Sequence, residues 1–152
     1  MPLKCEIITQ ERRVFDEQVD IVIAPGTEGE MGILPQHAPL VAALGYGVLR
    51  VRQGDREALF AIGGGVLQVS NDHVIVLADS AEQAEEIDMA RAEEARRRAQ
   101  RTMEEGPPED PEAYAALQAA IQRANLRLKV AARRRPRRGT GPGAIDFGSE
   151  RD

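Results

Sequence analysis

Cysteine, histidine and tryptophan are scarce in this chain, and the scarcity of the first two excludes several classes of functional site. Among 152 residues there are one cysteine, two histidines and no tryptophan. A single cysteine cannot form an intramolecular disulfide or a multi-cysteine metal centre. Free cysteines are mostly buried as small apolar residues, so we expect Cys5 to lie inside a strand of the core.

The chain also lacks a long apolar run. Its longest apolar stretch, residues 38–49, contains one proline and two glycines and is shorter than the ~18 residues that a membrane-spanning helix needs. Residues 1–10 lack the apolar segment of a signal peptide. We therefore expect a soluble chain with no direct membrane insertion, which would reach a membrane only through partner proteins.

No catalytic or metal-binding motif is present. His37 and His73 are not in a metal-ligand spacing such as HxxxH, and no GxSxG nucleophile motif occurs. Glycines 63–65 are not followed by the Gly-Lys-Ser/Thr of a phosphate-binding loop. We therefore predict no catalytic residue and no metal site. The alternative from the enzyme class is a small hydrolase that uses His37 with Glu28 and Glu30, which an assay of the isolated chain for turnover would test.

Acidic residues outnumber basic residues in all but the last part of the chain. Residues 1–80 carry 6 basic and 11 acidic side chains, residues 81–132 carry 8 and 11, and residues 133–152 carry 6 and 3, for a net charge of −5. A protein that binds nucleic acid needs a basic face. We therefore do not expect nucleic acid as a partner.

Residues 1–80 have the pattern of an antiparallel β-sandwich. Short runs rich in Val, Ile and Leu alternate with turn signals at residues 53–56, 63–65 and 70–72. Many short strands at such spacing favour an antiparallel sandwich or barrel. The predicted strands are residues 3–9, 19–25, 47–53, 57–63, 65–71 and 73–79.

After residue 80 the sequence is typical of an antiparallel two-helix hairpin. Ser80 is the candidate N-cap of a first helix over about residues 81–105, which the glycine and prolines of residues 106–111 end. A second helix is predicted over about residues 111–134. Its single apolar stripe comprises Tyr114, Leu117, Ile121, Ala124, Leu128 and Ala131.

These predictions divide the chain into three parts. Residues 1–80 form the β-sandwich and residues 81–134 form the helical hairpin. Residues 135–152 are basic and rich in glycine and show no periodicity, so we expect them to be a disordered tail. The predicted fold class is mainly β plus α.

The first predicted helix has charged residues where a core-facing stripe is expected. The residues at a 3-4-3 spacing are Asp88, Arg91, Ala95 and Arg98, whereas Arg96 falls on the outer face. Such a charged seam is tolerated when it faces water or when an anion binds to it. The simpler alternative is that Asp88 and Arg91 form an i,i+3 pair and that the arginines keep the hairpin soluble.

Three stretches together resemble one family, the epsilon subunit of F-type ATP synthase. They are GTEGEMGILPQHAPLVAAL (26–44), GGGVLQVSNDHVIVLAD (63–79) and EEIDMARAEEARRRA (85–99), and the likeness extends over about residues 3–132. Gln36 stands where a glycine is common in the family, and Gly63 stands where a serine is usual. The resemblance implies a ten-strand β-sandwich followed by a two-helix hairpin.

The resemblance also implies a function and partners. In this family the chain is a non-catalytic rotor subunit of the central stalk, whose sandwich contacts the gamma subunit and the c-ring and which couples proton flow to ATP synthesis. The extended hairpin reaches the catalytic beta and alpha subunits and inhibits ATP hydrolysis. Glu28 and Glu30 map onto the loop that faces the ring, and His37 is a further candidate for ring or stalk contact. The chain is then peripheral, on the cytoplasmic side of the bacterial plasma membrane, as part of ATP synthase.

In some bacterial members of the family an I(L)DxxRA motif helps to bind ATP when the hairpin folds onto the sandwich, and IDMARA (87–92) matches it. ATP is then a regulatory ligand, and no cofactor is required. Arginine forks suit phosphate oxygens, and an acid can accept a hydrogen bond from the adenine amino group. A free-standing nucleotide-sensing adaptor of the same fold is the alternative. The candidate ATP ligands that the resemblance implies are Glu82, Asp88, Arg91, Arg98, Arg123 and Arg127.

Overall fold

The computed structural model describes residues 2–133. Eight strands precede two helices, and one 3₁₀ turn, Ala84–Glu86, lies between them. The predicted tail, residues 135–152, lies outside the described residues. The elements are β1 (Leu3–Ile8), β2 (Arg13–Val19), β3 (Ile21–Gly26), β4 (Gly29–Ile33), β5 (Leu40–Gln53), β6 (Arg56–Ser70), β7 (His73–Ala78), β8 (Ala81–Gln83), α1 (Met89–Glu105) and α2 (Pro111–Arg133).

The strands form one sheet that folds over on itself as a β-sandwich around a single core. Their order is β2-β1-β7-β6-β5-β3-β4, and β8 pairs with β6. The pairing of β1 with β7 is parallel, which departs from the antiparallel prediction. The resemblance implies ten strands, but residues 2–133 contain eight, because β5 and β6 run unbroken for 14 and 15 residues.

The core is built from alternating side chains of the strands. In β1, Leu3, Cys5 and Ile7 are fully buried while the residues between them are not, as the two-residue period of a strand requires. The expectation that Cys5 lies inside a core strand is confirmed. Every buried member of this core lies between Leu3 and Ala78, so the first part of the chain supplies the sandwich core by itself.

The turn predicted at glycines 63–65 is wrong, because β6 continues through them. Gly64 and Gly65 have φ angles of 93° and 136°, a region that residues with side chains rarely adopt. A Cβ at Gly65 would lie 2.3 Å from the carbonyl oxygen of Leu77. The glycines thus allow β6 to bend while it stays paired, with β8 before the bend and with β7 after it.

The other two predicted turns are confirmed. Between β6 and β7, Asn71 and Asp72 have φ angles of 51° and 60°, as a two-residue type I′ hairpin turn requires. Gly54, with a φ of 59°, turns the chain between β5 and β6. Gln36 also has a positive φ, 68°, and its N–H donates to Asp72 Oδ1 at 2.6 Å. This conformation is the one that glycine adopts most easily.

Helix α1 begins later than predicted, because the segment after Ser80 continues the sheet. Ala81–Gln83 pairs with residues 60–62 of β6, so Ser80 is not a helix N-cap and the predicted start at residue 81 is wrong. The N-cap is Asp88, whose side chain accepts a hydrogen bond from the N–H of Arg91 at 3.1 Å. Pairing with the edge of β6 overrides the helix propensity of Ala, Glu and Gln.

Helix α2 spans Pro111–Arg133, close to the predicted range of 111–134. Asp110 accepts a hydrogen bond from the N–H of Ala113 at 3.1 Å and so caps the helix. Pro111 occupies the first helical position, where its missing N–H costs nothing. Local residues therefore determine where this helix starts.

Helix α2 presents a second apolar row that the predicted stripe leaves out. Of the predicted residues, Ala124 and Ala131 are buried, but Tyr114 is 39% exposed. Leu126 and Val130 are also buried, and with Ala131 they pack against the sheet. The hairpin is thus folded against the sandwich. The residues of this contact, the docking patch, are Leu126, Val130 and Ala131 with Val48, Leu59, Ala61, Ala84 and Ile87.

The charged seam of α1 is not its buried face. Arg91 and Arg98 are exposed, whereas the buried residues of α1 are Ala92 and Ala99. These alanines lie seven residues apart and therefore on one side of the helix, where their small side chains let α1 and α2 approach each other. The seam faces solvent next to this contact.

Candidate functional site

A cavity of about 420 Å³ lies between α2 and the sheet. Small-molecule sites in proteins usually measure roughly 300–1,000 Å³, so a ligand of moderate size fits. The turn between β1 and β2, strand β6, the segment from β7 to β8, and α2 all contribute to its lining. The lining residues are Thr9, Glu11, Arg12, Ala61, Gly63, Asp79, Ser80, Ala81, Glu82, Arg123, Leu126 and Arg127.

Glu82 and Arg127 join the sheet to α2 at this cavity. Arg127 donates from Nε to Glu82 Oε1 at 2.7 Å and from Nη2 to Glu82 Oε2 at 2.9 Å. This bidentate geometry is the strongest that a guanidinium and a carboxylate form. The side chain of Arg127 is 22% exposed and that of Glu82 is 31% exposed, so water screens this pair only in part. Glu82 is held in place as the central residue of β8, opposite Ala61.

Arg123 lies one helical turn before Arg127 and lines the same cavity. It is exposed, and within residues 2–133 it forms no ion pair and no side-chain hydrogen bond. Its guanidinium is therefore available to an anion that enters the cavity.

Half of the candidate ATP ligands are brought together here and half are not. Asp88 caps α1, Arg91 is exposed on that helix, and Arg98 is ion-paired with Glu94 at 3.7 Å. None of these three lines the cavity. The three candidate ligands that do line it are Glu82, Arg123 and Arg127.

The prediction that Arg96 lies on the outer face of α1 is wrong. Its side chain is only 32% exposed and is ion-paired with Glu93. Its Nε atom is buried and has no hydrogen-bond partner among the described residues. Arg96 is therefore less accessible than Arg91 or Arg98.

Residues near the start of the chain complete the cavity, and sequence reasoning missed them. Thr9 Oγ1 donates to Glu11 at 3.2 Å and accepts from the N–H of Arg12, which shapes the turn between β1 and β2. The side chain of Arg12 is 53% exposed and is ion-paired with Glu86 at 3.1 Å. No local pattern marks Arg12 as a site residue, because only the fold brings it near Arg127.

The residues predicted to contact the ring lie around the turn between β3 and β4 and in the loop that follows. Glu28 and Glu30 line a second cavity of about 450 Å³, and Glu30 is ion-paired with Arg50 at 3.5 Å. His37 Nδ1 is 2.8 Å from the carbonyl oxygen of Ala38. In the described part of the chain, His37 makes no hydrogen bond to Glu28 or Glu30, so the geometry gives no support to a hydrolase built on these three residues.

Four adjacent strands place apolar side chains side by side on the outer face of the sandwich. Ile8 of β1 pairs with Leu77 of β7, which pairs with Val66 of β6, which pairs with Ala43 of β5. Leu77 is 53% exposed and Val66 is 42% exposed, and Val41 on the same face of β5 is 70% exposed. We call these five residues the apolar row. Contiguous exposed apolar residues typically mark an interaction site.

Two further properties concern only residues 2–133. Their helices are too short or too polar to span a bilayer. They also contain no group of three or more His, Cys, Asp or Glu side chains that is arranged to hold a metal ion.

Comparison with known proteins assigns the chain to one family. The model described as "ATP synthase, Delta/Epsilon chain, beta-sandwich domain" matches residues 2–84, and that described as "ATP synthase, Delta/Epsilon chain, long alpha-helix domain" matches residues 85–132. The ATP synthase epsilon chain of Dehalococcoides mccartyi is 53% identical over 134 residues, which cover 88% of this chain and 94% of that relative.

Two solved structures share the fold at low sequence identity. One is a chain in the structure of the mitochondrial ATP synthase of Euglena gracilis. It has a TM-score of 0.71 and 24% identity, and the match covers 86% of this chain and 81% of that chain. The other is the central stalk and c-ring of the Tetrahymena thermophila mitochondrial ATP synthase, with a TM-score of 0.59 and 13% identity over 86% of this chain and 97% of that chain. Because the family models together match both the sandwich and the hairpin, the chain belongs to the family of ATP synthase delta and epsilon chains, whose members are subunits of the synthase and not enzymes by themselves.

Proposed function

We propose that the chain is a non-catalytic subunit of the central stalk of a proton-translocating ATP synthase, where it couples rotation of the c-ring to ATP synthesis. The sandwich attaches the chain to the gamma subunit and the c-ring, and the hairpin regulates ATP hydrolysis. One observation carries this proposal: the sandwich has two separate apolar surfaces, of which α2 covers one while the apolar row stays open. A subunit that connects partner proteins needs an open surface of this kind and needs no catalytic site.

The apolar row is the proposed surface for the gamma subunit. Leu77 and Val66 are directly paired across neighbouring strands, so their exposed methyl groups form one continuous strip. Burial of a whole aliphatic side chain contributes about 1.5–3 kcal/mol, and these two are roughly half exposed, so each would add about 1 kcal/mol on binding. The strip is rigid, because its strands are held in the sheet on both sides.

The turn with Glu28 and Glu30, together with His37, is the proposed contact with the c-ring. In the described part of the chain Glu28 has no ion-pair partner, whereas Glu30 is already ion-paired with Arg50. Exposed ion pairs contribute only about 0–1 kcal/mol each. The acidic turn therefore contributes more to the orientation of the sandwich on a basic loop of the ring than to the free energy of binding.

The hairpin is proposed to inhibit ATP hydrolysis when it leaves the sandwich. In the folded-down form, the docking patch and the Glu82–Arg127 ion pair hold α2 in place. Release of α2 would break the Glu82–Arg127 ion pair and allow Arg123 and Arg127 to reach acidic surfaces on the catalytic beta and alpha subunits. Deletion of residues 111–152 should then raise the ATPase activity of the assembled synthase.

ATP is the proposed regulatory ligand of the cavity. The cavity is lined by both the sheet and α2, so a ligand that fills it binds the folded-down form and not the extended one. Such a ligand stabilises that form by about 2.7 kcal/mol at a hundredfold excess over its Kd. Abundant ATP would therefore keep the hairpin away from the catalytic subunits.

Calorimetry on the isolated chain tests this ligand. Arg127→Ala should weaken ATP binding roughly ten- to hundredfold, because a charged hydrogen bond contributes about 1.5–3 kcal/mol. Arg91→Ala tests whether α1 contributes to the site. Arg91 does not line the cavity, so its loss would weaken ATP binding only if α1 moves toward the ligand. Arg56→Ala, at the exposed turn between β5 and β6, is the control. Equal effects of all three variants would contradict the proposal.

In this proposal the chain is peripheral to the bacterial plasma membrane, on its cytoplasmic side, and is attached through partner proteins. Co-purification of a tagged chain tests the attachment. The wild type should recover the gamma subunit and the c-ring, and Leu77→Glu should lose them. Tyr114→Glu is the matched control, because Tyr114 is also an exposed apolar residue but lies on the hairpin. Equal recovery with both variants would exclude the apolar row as the attachment surface.

A further inference from the structure

We infer that Arg12 is a further anion-binding residue of the cavity and offers the guanidinium of the sandwich to the phosphates of a nucleoside polyphosphate. This inference rests on the proposed ATP site and adds to it a residue of the sandwich, which the turn between β1 and β2 brings to the cavity.

The first reason is the origin of the positive charges. Among the described residues that line the cavity, the cations are Arg12, Arg123 and Arg127. Arg123 and Arg127 both belong to α2, so an anion held by them alone would travel with the hairpin and would not favour its folded-down form. Linkage between ligand and fold requires a contact with the sandwich. Arg12 is the cation of the sandwich that meets this requirement.

The second reason is the balance of charge inside the cavity. Glu82 neutralises Arg127, and the carboxylates of Glu11 and Asp79 also line the cavity, where they oppose an incoming anion. Arg123 alone would then face several phosphate charges. With Arg12 the guanidiniums of the cavity equal its three carboxylates in number. Arg12 also adds a second planar fork that matches phosphate oxygens.

The third reason is that the present partner of Arg12 is easy to displace. The Arg12–Glu86 ion pair spans 3.1 Å, and its side chains are 53% and 47% exposed. An ion pair that is so exposed to water is weak. A polyphosphate carries more negative charge than one carboxylate. We therefore expect it to replace Glu86 as the ion-pair partner of Arg12 when it enters the cavity.

Calorimetric titration of the full chain with ATP, ADP, AMP and adenosine tests the inference. Arg12→Ala should weaken ATP binding about three- to tenfold, a range set by the partial exposure of Arg12. The factor should shrink as phosphates are removed and should vanish for adenosine. Arg13→Ala is the matched control, because Arg13 is the adjacent residue, is exposed, and pairs with Glu6 and Asp16 instead of lining the cavity.

Glu86→Gln distinguishes a direct contact from an indirect one. If Arg12 binds phosphate, loss of the Glu86 charge frees it, and ATP affinity should be unchanged or higher. An affinity loss in Glu86→Gln that equals the loss in Arg12→Ala would mean that the ion pair only positions the turn, and would overturn the inference. An equal loss for ATP and adenosine would overturn it as well.

The outcomes for the inference and for the proposed function are distinguishable. If Arg127→Ala weakens ATP binding while Arg12→Ala binds like the wild type, the inference is wrong and the proposed ATP site stands. If the wild type produces no binding heat at millimolar ATP, the inference and the proposed ATP site are both wrong, while the proposed stalk function, which co-purification tests, is unaffected. Loss of affinity in Arg12→Ala that depends on the phosphates supports both.

Discussion

Shortening Val130 to alanine should loosen the docking of α2 without weakening the sandwich. Val130 is 0% exposed and belongs to the docking patch together with Leu126 and Ala131. Val130→Ala removes two carbon atoms, worth ~0.8 kcal/mol each in transfer free energy. The cavity left behind brings the expected loss of docking free energy to about 1.5–2.5 kcal/mol. The sandwich core contains no residue of α2, so its stability should not change.

Amide hydrogen exchange measures this loss element by element. If α2 opens as a unit, its amides around residues 124–131 should exchange roughly ten- to seventyfold faster, while those of β1 and β7 keep their wild-type rates. Tyr114→Ala is the matched control, because it removes more apolar atoms from the same helix but at a site outside the docking patch. Unchanged rates in α2, or equal acceleration in β1, would refute the reasoning, since hairpin and sandwich would then open together.

Three further predictions concern the sandwich. Gly65→Ala should lower the free energy of unfolding by about 2–4 kcal/mol, because its Cβ would lie 2.3 Å from the Leu77 carbonyl oxygen; a loss below ~1 kcal/mol in a urea titration would contradict this. Burial raises the pKa of Cys5 from 9.0 to about 12, so the unfolded thiol ionises first. Wild type should therefore lose up to ~1.4 kcal/mol of stability per pH unit relative to Cys5→Ala between about pH 9 and 12, and parallel urea midpoints would contradict it. Deletion of residues 88–152 should leave a cooperative melting transition by circular dichroism, because the sandwich core ends at Ala78; a non-cooperative melt would exclude an independent sandwich.

The parts of the fold that the sequence predicted correctly are those that local residues determine. Asp110 and Pro111 start α2, and the polar pair Asn71 and Asp72 turns β6 into β7. The change from Val- and Ile-rich runs to Ala, Glu and Arg also indicates correctly that helices follow the strands, although α1 begins only at Met89. Each of these signals acts through a cap, a turn or a propensity, which needs no distant partner.

The parts that the sequence missed depend on residues far away in the chain. Ala81–Gln83 consists of helix formers and becomes β8 only because residues 60–62 of β6 offer an unpaired edge. Glycines 63–65 resemble a turn, and only the neighbouring β7 shows that they are a bend within one strand. The row of Leu126 and Val130 on α2 went unnoticed because one helix can present two apolar sides, and periodicity selects only one.

The same distinction applies to the candidate site. The resemblance assigned Glu82, Arg123 and Arg127 to a shared ligand, and the fold does bring these three to one cavity. Their role toward ATP stays a prediction. Asp88 carries a role of its own as the cap of α1, which sequence spacing alone does not reveal. Arg12 lies far in the chain from Glu82, Arg123 and Arg127, so no motif could have included it with them.

The distribution of buried side chains separates a sandwich with a large core from a hairpin that is held to it by fewer buried residues. The sandwich core has 18 buried residues, all from the strands, whereas the docking patch has eight, of which only three come from α2. Segments with few buried apolar contacts open first. The contact between α2 and the sheet should therefore open before the sandwich core does, and the cavity lies directly at this contact. In the proposed regulation, a ligand bound there acts on the contact that is more easily opened than the core, while the strands that carry the apolar row stay fixed.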